Sequence, residues 1–179
     1  MALAANSQRE RNKLNGEVGA QVRAQKENER LFSAISAGAF FIIVGIVYVA
    51  NLSQNLLDRI IAFFSSFTFA QPITGLYLPA PISPAAHVVL YQAFFQFCIG
   101  IGILQVILLI LRLLWNSPIA KTAEVMGNLV FWFGTSYLVT TYLNNATNMS
   151  RWFVFWAGIL MILGLSFVAR AFVLLVKRK

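Results

Sequence analysis

The sequence predicts an all-α membrane protein: four transmembrane helices as an up-down bundle, with an interfacial amphipathic helix and a Pro-rich external loop. Two observations come from composition. Of 179 residues, 59% are hydrophobic and 11% charged, against about 45–50% and about 25% in soluble domains. Mean hydropathy is +0.72, which leaves too little polar surface to cover a water-soluble globule of this size. The third is pattern: four apolar runs, each long enough to cross a ~30 Å hydrocarbon core, are separated by polar or proline-rich stretches.

Residues 1–30 form a charged tail, carrying ten of the twenty charged side chains and no aromatic. A polar stretch of this length ahead of the first apolar run is not the usual form of a cleavable signal peptide. Ser7-Gln8-Arg9-Glu10 has capping-box spacing and would start a helix. Asn15-Gly16 should break it. From Glu17 a second helix can run on into the membrane, with Arg23 and Glu27 spaced for an i,i+4 pair. A frayed, solvated tail is an equally good expectation.

The first span is residues 31–50, twenty residues without a charge. It ends at the polar run Asn51 to Asn55 and the pair Asp58-Arg59. Within residues 51–70, Leu52, Leu56, Ile60, Phe63 and Phe67 recur at helical spacing, which predicts an external helix lying in the interface. Residues 71–87 hold four of the five prolines, so an extended, helix-free external loop is expected there. The second span covers residues 88–115, with Arg112 near its end. The third covers 119–143, after a Ser117-Pro118 helix start and the charged turn Lys121 to Glu124. The fourth covers 152–176, carries Arg170 near its end, and closes on Lys177-Arg178-Lys179.

Lysine and arginine bias orients these spans. With the N-terminus inside, the inner side receives Arg9, Arg11, Lys13, Arg23, Lys26, Arg30, Arg112, Lys121, Arg170, Lys177, Arg178 and Lys179. The outer side receives only Arg59 and Arg151. Both termini are therefore expected in the cytoplasm, and the net charge of +8 follows from topology and anionic lipid, with no need for nucleic acid.

Catalytic and metal chemistry need convergent carboxylates, histidines or thiolates. Glu10, Glu17, Glu27 and Glu29 lie in the tail, Asp58 stands beside Arg59, and Glu124 follows Lys121. His87 is the sole histidine and Cys98 the sole cysteine, so no intramolecular disulfide is expected. The composition argues against an enzyme, and no cofactor or metal is implied.

The second span is the most informative. Tyr91, Cys98, Gln105 and Arg112 recur every seven residues, and His87, Phe94 and Gly102 fall on the same face. Such a stripe is expected to be a helix-packing seam, with a pore lining as the alternative. Gln92 and Gln96 lie one turn apart on another face. Ala34, Gly38 and Gly45 in the first span, Gly134 and Ser136 in the third, and Gly158 and Gly164 in the fourth suit close helix approach. Arg112 and Arg170 should snorkel to inner head groups, and Trp152 with Trp156 should anchor the outer interface. Asn51, Asn145 and Asn148 match the N-x-Ser/Thr pattern, though close to the membrane.

The stretches at residues 35–49 (ISAGAFFIIVGIVYV), 78–91 (LPAPISPAAHVVLY), 128–144 (NLVFWFGTSYLVTTYLN) and 152–174 (WFVFWAGILMILGLSFVARAFVL) resemble small, uncharacterised archaeal integral membrane proteins. The resemblance covers roughly residues 31–175 and brings no activity or site residue with it. It implies an archaeal plasma membrane.

The function expected is that of a non-catalytic accessory, assembly or scaffold subunit of a larger membrane complex. The alternatives are a homo-oligomeric pore or small-solute channel lined by the second span, and a membrane-surface recruitment protein acting through its tail. Membrane lipids and other integral membrane subunits are the expected partners, and a homo-oligomer also fits. Docking is expected on the external loop. Between Arg59 and Arg112 lie 52 consecutive residues without a carboxylate, lysine or arginine. There Leu76, Tyr77, Leu78 and Ile82 form an apolar surface among prolines, with a cap over the chain's own helices as the competing fate.

Overall fold

The computed structural model describes residues 2–73, 75–115 and 117–176. The chain divides into two compact units, residues 1–38 and 39–179.

One helix, α1 (Ala2–Ala50), begins in the first unit and ends in the second. It contradicts the expected break at Asn15-Gly16. A mid-helix glycine costs only about 1 kcal/mol, and the residues around it are mostly good helix formers: Lys13, Leu14, Glu17, Ala20 and Gln21. Ala2 also precedes the helix start expected at Ser7. The expected Lys177-Arg178-Lys179 terminus lies outside the described residues.

After α1 the chain makes one 3₁₀ turn (Leu52–Gln54) and enters α2 (Leu56–Ser65) through Asn55. Asn55 takes a left-handed conformation at φ +52°, which asparagine tolerates better than most residues. The helix expected over residues 51–70 is therefore shorter. Its apolar row also faces inward: Leu56 is buried and Phe63 packs against the core, while Leu57, Ile61 and Phe64 face outward.

The segment expected as a helix-free loop is an antiparallel hairpin of β1 (Phe67–Ile73) and β2 (Leu76–Pro81), followed by a 3₁₀ turn at Pro84–His87. Phe67 pairs with Pro81, Phe69 with Pro79 and Ala70 with Leu78. The register shifts between Ala70 and Ile73, where Gln71-Pro72 oppose Tyr77 and a residue without an N–H is tolerated. Gly75 supplies the positive φ, +87°, that the turn needs. Pro79 and Pro81, two apart, leave one edge of β2 without those donors, which discourages further strand pairing.

Three long helices complete the chain: α3 (Val88–Leu114), α4 (Ile119–Tyr142) and α5 (Met149–Val176). Their short connections force antiparallel neighbours, and the extensive pairings are α3 with α4 and α4 with α5. Side chains on one helix lie where a Cβ on a glycine of the next would sit. A Cβ at Gly134 would stand 2.8 Å from Ile162 Cγ2, and one at Gly158 would stand 2.7 Å from Leu138 Cδ1. Gly45 and Gly164, expected at packing faces, meet nothing within 4 Å.

Among the described residues, three helices are long and apolar enough to cross a membrane: Lys26–Ala50, the stretch Pro84–Leu114 and Met149–Val176. α4 falls outside that set. It is also the helix between two neighbours, with Thr122, Thr135 and Ser136 among its buried residues. A helix that faces protein on two sides needs fewer apolar side chains than one facing lipid.

The hydrophobic core sits at one end of the α3–α4–α5 layer. Ala80 of β2, Tyr91 of α3, Leu138 and Val139 of α4, Leu143, and Trp152 and Phe155 of α5 meet there, with Phe63 and Phe67 packed against them. Trp152 is thus a core residue, not the interfacial anchor expected, whereas Trp156 is exposed.

Candidate functional site

The heptad stripe of α3 points largely inward. Tyr91, Cys98, Gly102 and Gln105 are buried, while His87 and Arg112 are half-buried. Phe94, placed on the same face by the sequence, is exposed at its edge. His87 is tied to the α2 end, its Nε2 lying 3.1 Å from Ser66 Oγ. Gln96, on the other polar face, accepts a 2.7 Å hydrogen bond from Asn51 Nδ2, and the same amide donates to Val47 O at 2.8 Å. This joins the end of α1 to α3, and the edge-on Phe40–Phe97 ring pair is a second contact between the same two helices.

Arg170 departs from simple snorkelling. Its Nη2 donates to Asn128 Oδ1 at 2.7 Å, and its side chain occupies the space a Cβ at Gly127 would take. Lys121 and Glu124, the ends of the charged turn, form a surface ion pair at 3.1 Å. Asn51 is buried and its Nδ2 donates both protons within the chain, which removes it from the glycosylation candidates. Asn145 is exposed, but Thr147, the hydroxyl of its motif, is buried and donates to the chain's own carbonyls. Asn148 Oδ1 accepts from the Arg151 N–H at the start of α5.

The hairpin divides into a buried base and an exposed tip. Ala80 and Pro81 are fully buried, and Ile82 N–H donates to Ser66 O at 2.9 Å. Of the docking residues expected, Leu78 is half-buried, while Leu76, Tyr77 and Ile82 are exposed, Tyr77 at 63%. Phe69, opposite Pro79, is 76% exposed.

A cavity of about 540 Å³ opens between α2, α3, α4 and α5, and nine of its fourteen lining residues are aromatic. Sequence reasoning missed it. Its deepest wall is Tyr91, Thr135 and Trp152, at 4%, 2% and 3% exposure. Its rim is Phe64, Phe94 and Trp156, all exposed. Phe63 joins the wall together, lying edge-on to Tyr91 at 6.3 Å and to Trp152 at 6.0 Å. A smaller space of about 300 Å³, lined partly by Gln92, Thr140 and Asn144, adjoins the other side of Tyr91. The signal available beforehand was aromatic density: Phe63, Phe64, Tyr91, Phe94, Phe131, Trp132, Trp152, Phe155 and Trp156 all line one space.

Among the described residues, no three histidine, cysteine, aspartate or glutamate side chains gather where they could hold a metal ion. No protein-family model, curated protein or solved structure matches the chain.

Proposed function

We propose that this is a four-span plasma-membrane protein with both termini in the cytoplasm, serving as a non-catalytic accessory or scaffold subunit of a larger membrane complex. α4 completes the fourth span. Its connections to α3 and α5 are too short for it to leave their layer, and its modest hydropathy suits an interior position. The basic-residue count supplies the orientation. An archaeal membrane belongs to the same reading, through the resemblance of residues 31–175.

The observation that carries the subunit role is the exposed part of the hairpin. Leu76 and Tyr77 at the tip and Phe69 in β1 present apolar surface on a two-stranded sheet, and Ile82 is exposed just past its base; such an element is marginal in water by itself. The proline-blocked edge of β2 discourages strand addition there and favours docking through side-chain contact. The buried base supports the competing cap in part: residues 80–81 cover the core while residues 76–77 extend beyond it. Burial of Tyr91, Cys98 and Gln105 within one chain speaks against a pore lined by that stripe.

Replacing Leu76, Tyr77 and Leu78 together with serine tests the role. Loss of co-purifying membrane subunits with an unchanged melting profile is the expected result. A destabilised isolated chain would assign the tip to the cap instead, and retention of the partners would remove the hairpin from the interface.

A further inference from the structure

The aromatic cavity has the size, lining and position of a ligand site. At about 540 Å³ it falls within the ~300–1,000 Å³ range of small-molecule pockets. None of its lining residues is charged, so an ion or zwitterion would enter with no compensating partner. Its rim residues Phe64, Phe94 and Trp156 are exposed on three different helices, and in a membrane these apolar faces meet lipid, not water. The route in is lateral, from the bilayer.

The deep wall adds a polar signal. Tyr91 Oη, Thr135 Oγ1 and Trp152 Nε1 are buried polar atoms without a hydrogen-bond partner, and all three residues line this one cavity. Leaving a buried donor unsatisfied costs about 1–3 kcal/mol, so three at one wall is a concentration that needs a reason. The indole N–H can only donate, and both hydroxyls can donate. An acceptor oxygen is therefore the kind of group that each of the three can bind. The three atoms are occluded from the cavity, so a ligand reaches them only when a side chain changes rotamer about χ1, and no hydrogen bond holds Tyr91 through its hydroxyl.

We propose that this cavity binds an uncharged, membrane-dissolved carbonyl compound, its apolar ring or chain against the aromatic walls and its oxygen accepting from Tyr91 and its neighbours. The site stands independently of the subunit role.

The test uses the full chain in lipid nanodiscs with Trp115, which lies outside the cavity, replaced by phenylalanine, so that the cavity tryptophans Trp132, Trp152 and Trp156 report. The probe is a short-chain alkyl benzoquinone, which quenches tryptophan. The competitor is an alkylbenzene of equal chain length without oxygen. Saturable quenching is expected, with Tyr91→Phe weakening the probe roughly two- to tenfold, the value of one neutral hydrogen bond. Filling the cavity with Ile159→Phe, or with Leu90→Phe should that variant fail to fold, should abolish saturation. The alkylbenzene should compete only in excess. Quenching that rises linearly and ignores both filling variants would place the probe in the lipid phase and overturn the site. Equal competition by the alkylbenzene, together with unchanged affinity in Tyr91→Phe, would make this a plain hydrocarbon void or one whose donors water serves, and would overturn the carbonyl assignment.

Discussion

The Asn51–Gln96 hydrogen bond offers the most direct quantitative test of how α1 is attached. Asn51 Nδ2 donates both its protons, to Val47 O at 2.8 Å and to Gln96 Oε1 at 2.7 Å. The first bond is local to the last turn of α1, and only the second joins two helices. Truncating Asn51 to alanine removes both and leaves the Gln96 acceptor part-buried, for a loss of about 1–3 kcal/mol. That sum mixes local and interhelical effects. A double-mutant cycle of Asn51→Ala with Gln96→Ala cancels the Val47 contribution and isolates the interhelical part, because Val47 loses its donor in both backgrounds. Interhelical hydrogen bonds in membrane proteins average about 0.6 kcal/mol and reach about 1.7. A coupling in that range is expected, measured by reversible unfolding in mixed micelles with tryptophan fluorescence as the signal. A coupling below about 0.3 kcal/mol, within the scatter of additive sites, would show that α1 does not depend on this bond.

Glycine substitutions should separate packed positions from open ones. Gly134→Val and Gly158→Val place atoms against Ile162 and Leu138 and should each lower stability by about 1–3 kcal/mol, whereas Gly164→Ala, with nothing near it, should be neutral or stabilising by up to about 1 kcal/mol. Gln105→Leu should leave stability unchanged or raise it, since Gln105 Oε1 is buried without a partner and an apolar replacement removes that cost; a clear loss of assembly in the same micelle measurements would mean that another chain reaches this amide. Cysteines placed at Tyr77 and Asn145 in a Cys98→Ala background should react with an impermeant thiol reagent in intact cells, and cysteines at Lys13 and Lys121 should be shielded. Labelling at Lys121 from outside would reverse α4 and refute the four-span topology.

α1, α3 and α5 were legible because a helix able to cross a hydrocarbon core must meet a length and a transfer energy, and α4 because Ser117-Pro118 marks its start. Residues 88–115 and 119–143 were expected, and α3 and α4 run Val88–Leu114 and Ile119–Tyr142. α5 starts three residues ahead of the expected 152, at Met149, because Asn148 caps it. The hairpin was hidden by its prolines, which suggest an unpaired loop until it is seen that Pro79 and Pro81 share an edge of β2. The face of α2 was misjudged for a different reason. Leu56, Ile60, Phe63 and Phe67 would form the same row whether they met lipid or protein, and Leu57, Ile61 and Phe64 widen the apolar side beyond that row, with Asp58 and Arg59 opposite. The cavity followed from that misjudgement, since Phe63 is the residue that closes it.

The general difficulty is that lipid removes the contrast on which inside-outside patterns rest. In water, leucine and phenylalanine mark the interior; here Leu160, Met161, Phe167 and Phe172 are exposed, while Thr135, Cys98 and Ser166 are among the most completely buried side chains. Small and weakly polar residues allow helices to approach, and their hydroxyls can be satisfied locally, as Ser166 Oγ is by Leu163 O at 2.8 Å. The polar minority therefore reports burial better than the apolar majority does. By that rule the heptad of α3 was informative because it is not uniformly hydrophobic, and α4 is interior because it is the least apolar long helix of the layer. The same rule singles out the exceptions. Thr135 finds no carbonyl as Ser136 does at Phe133 O, and it stands with Tyr91 and Trp152 at one cavity wall. Buried polar groups that neither pack a helix pair nor satisfy themselves are the ones whose presence packing alone does not explain.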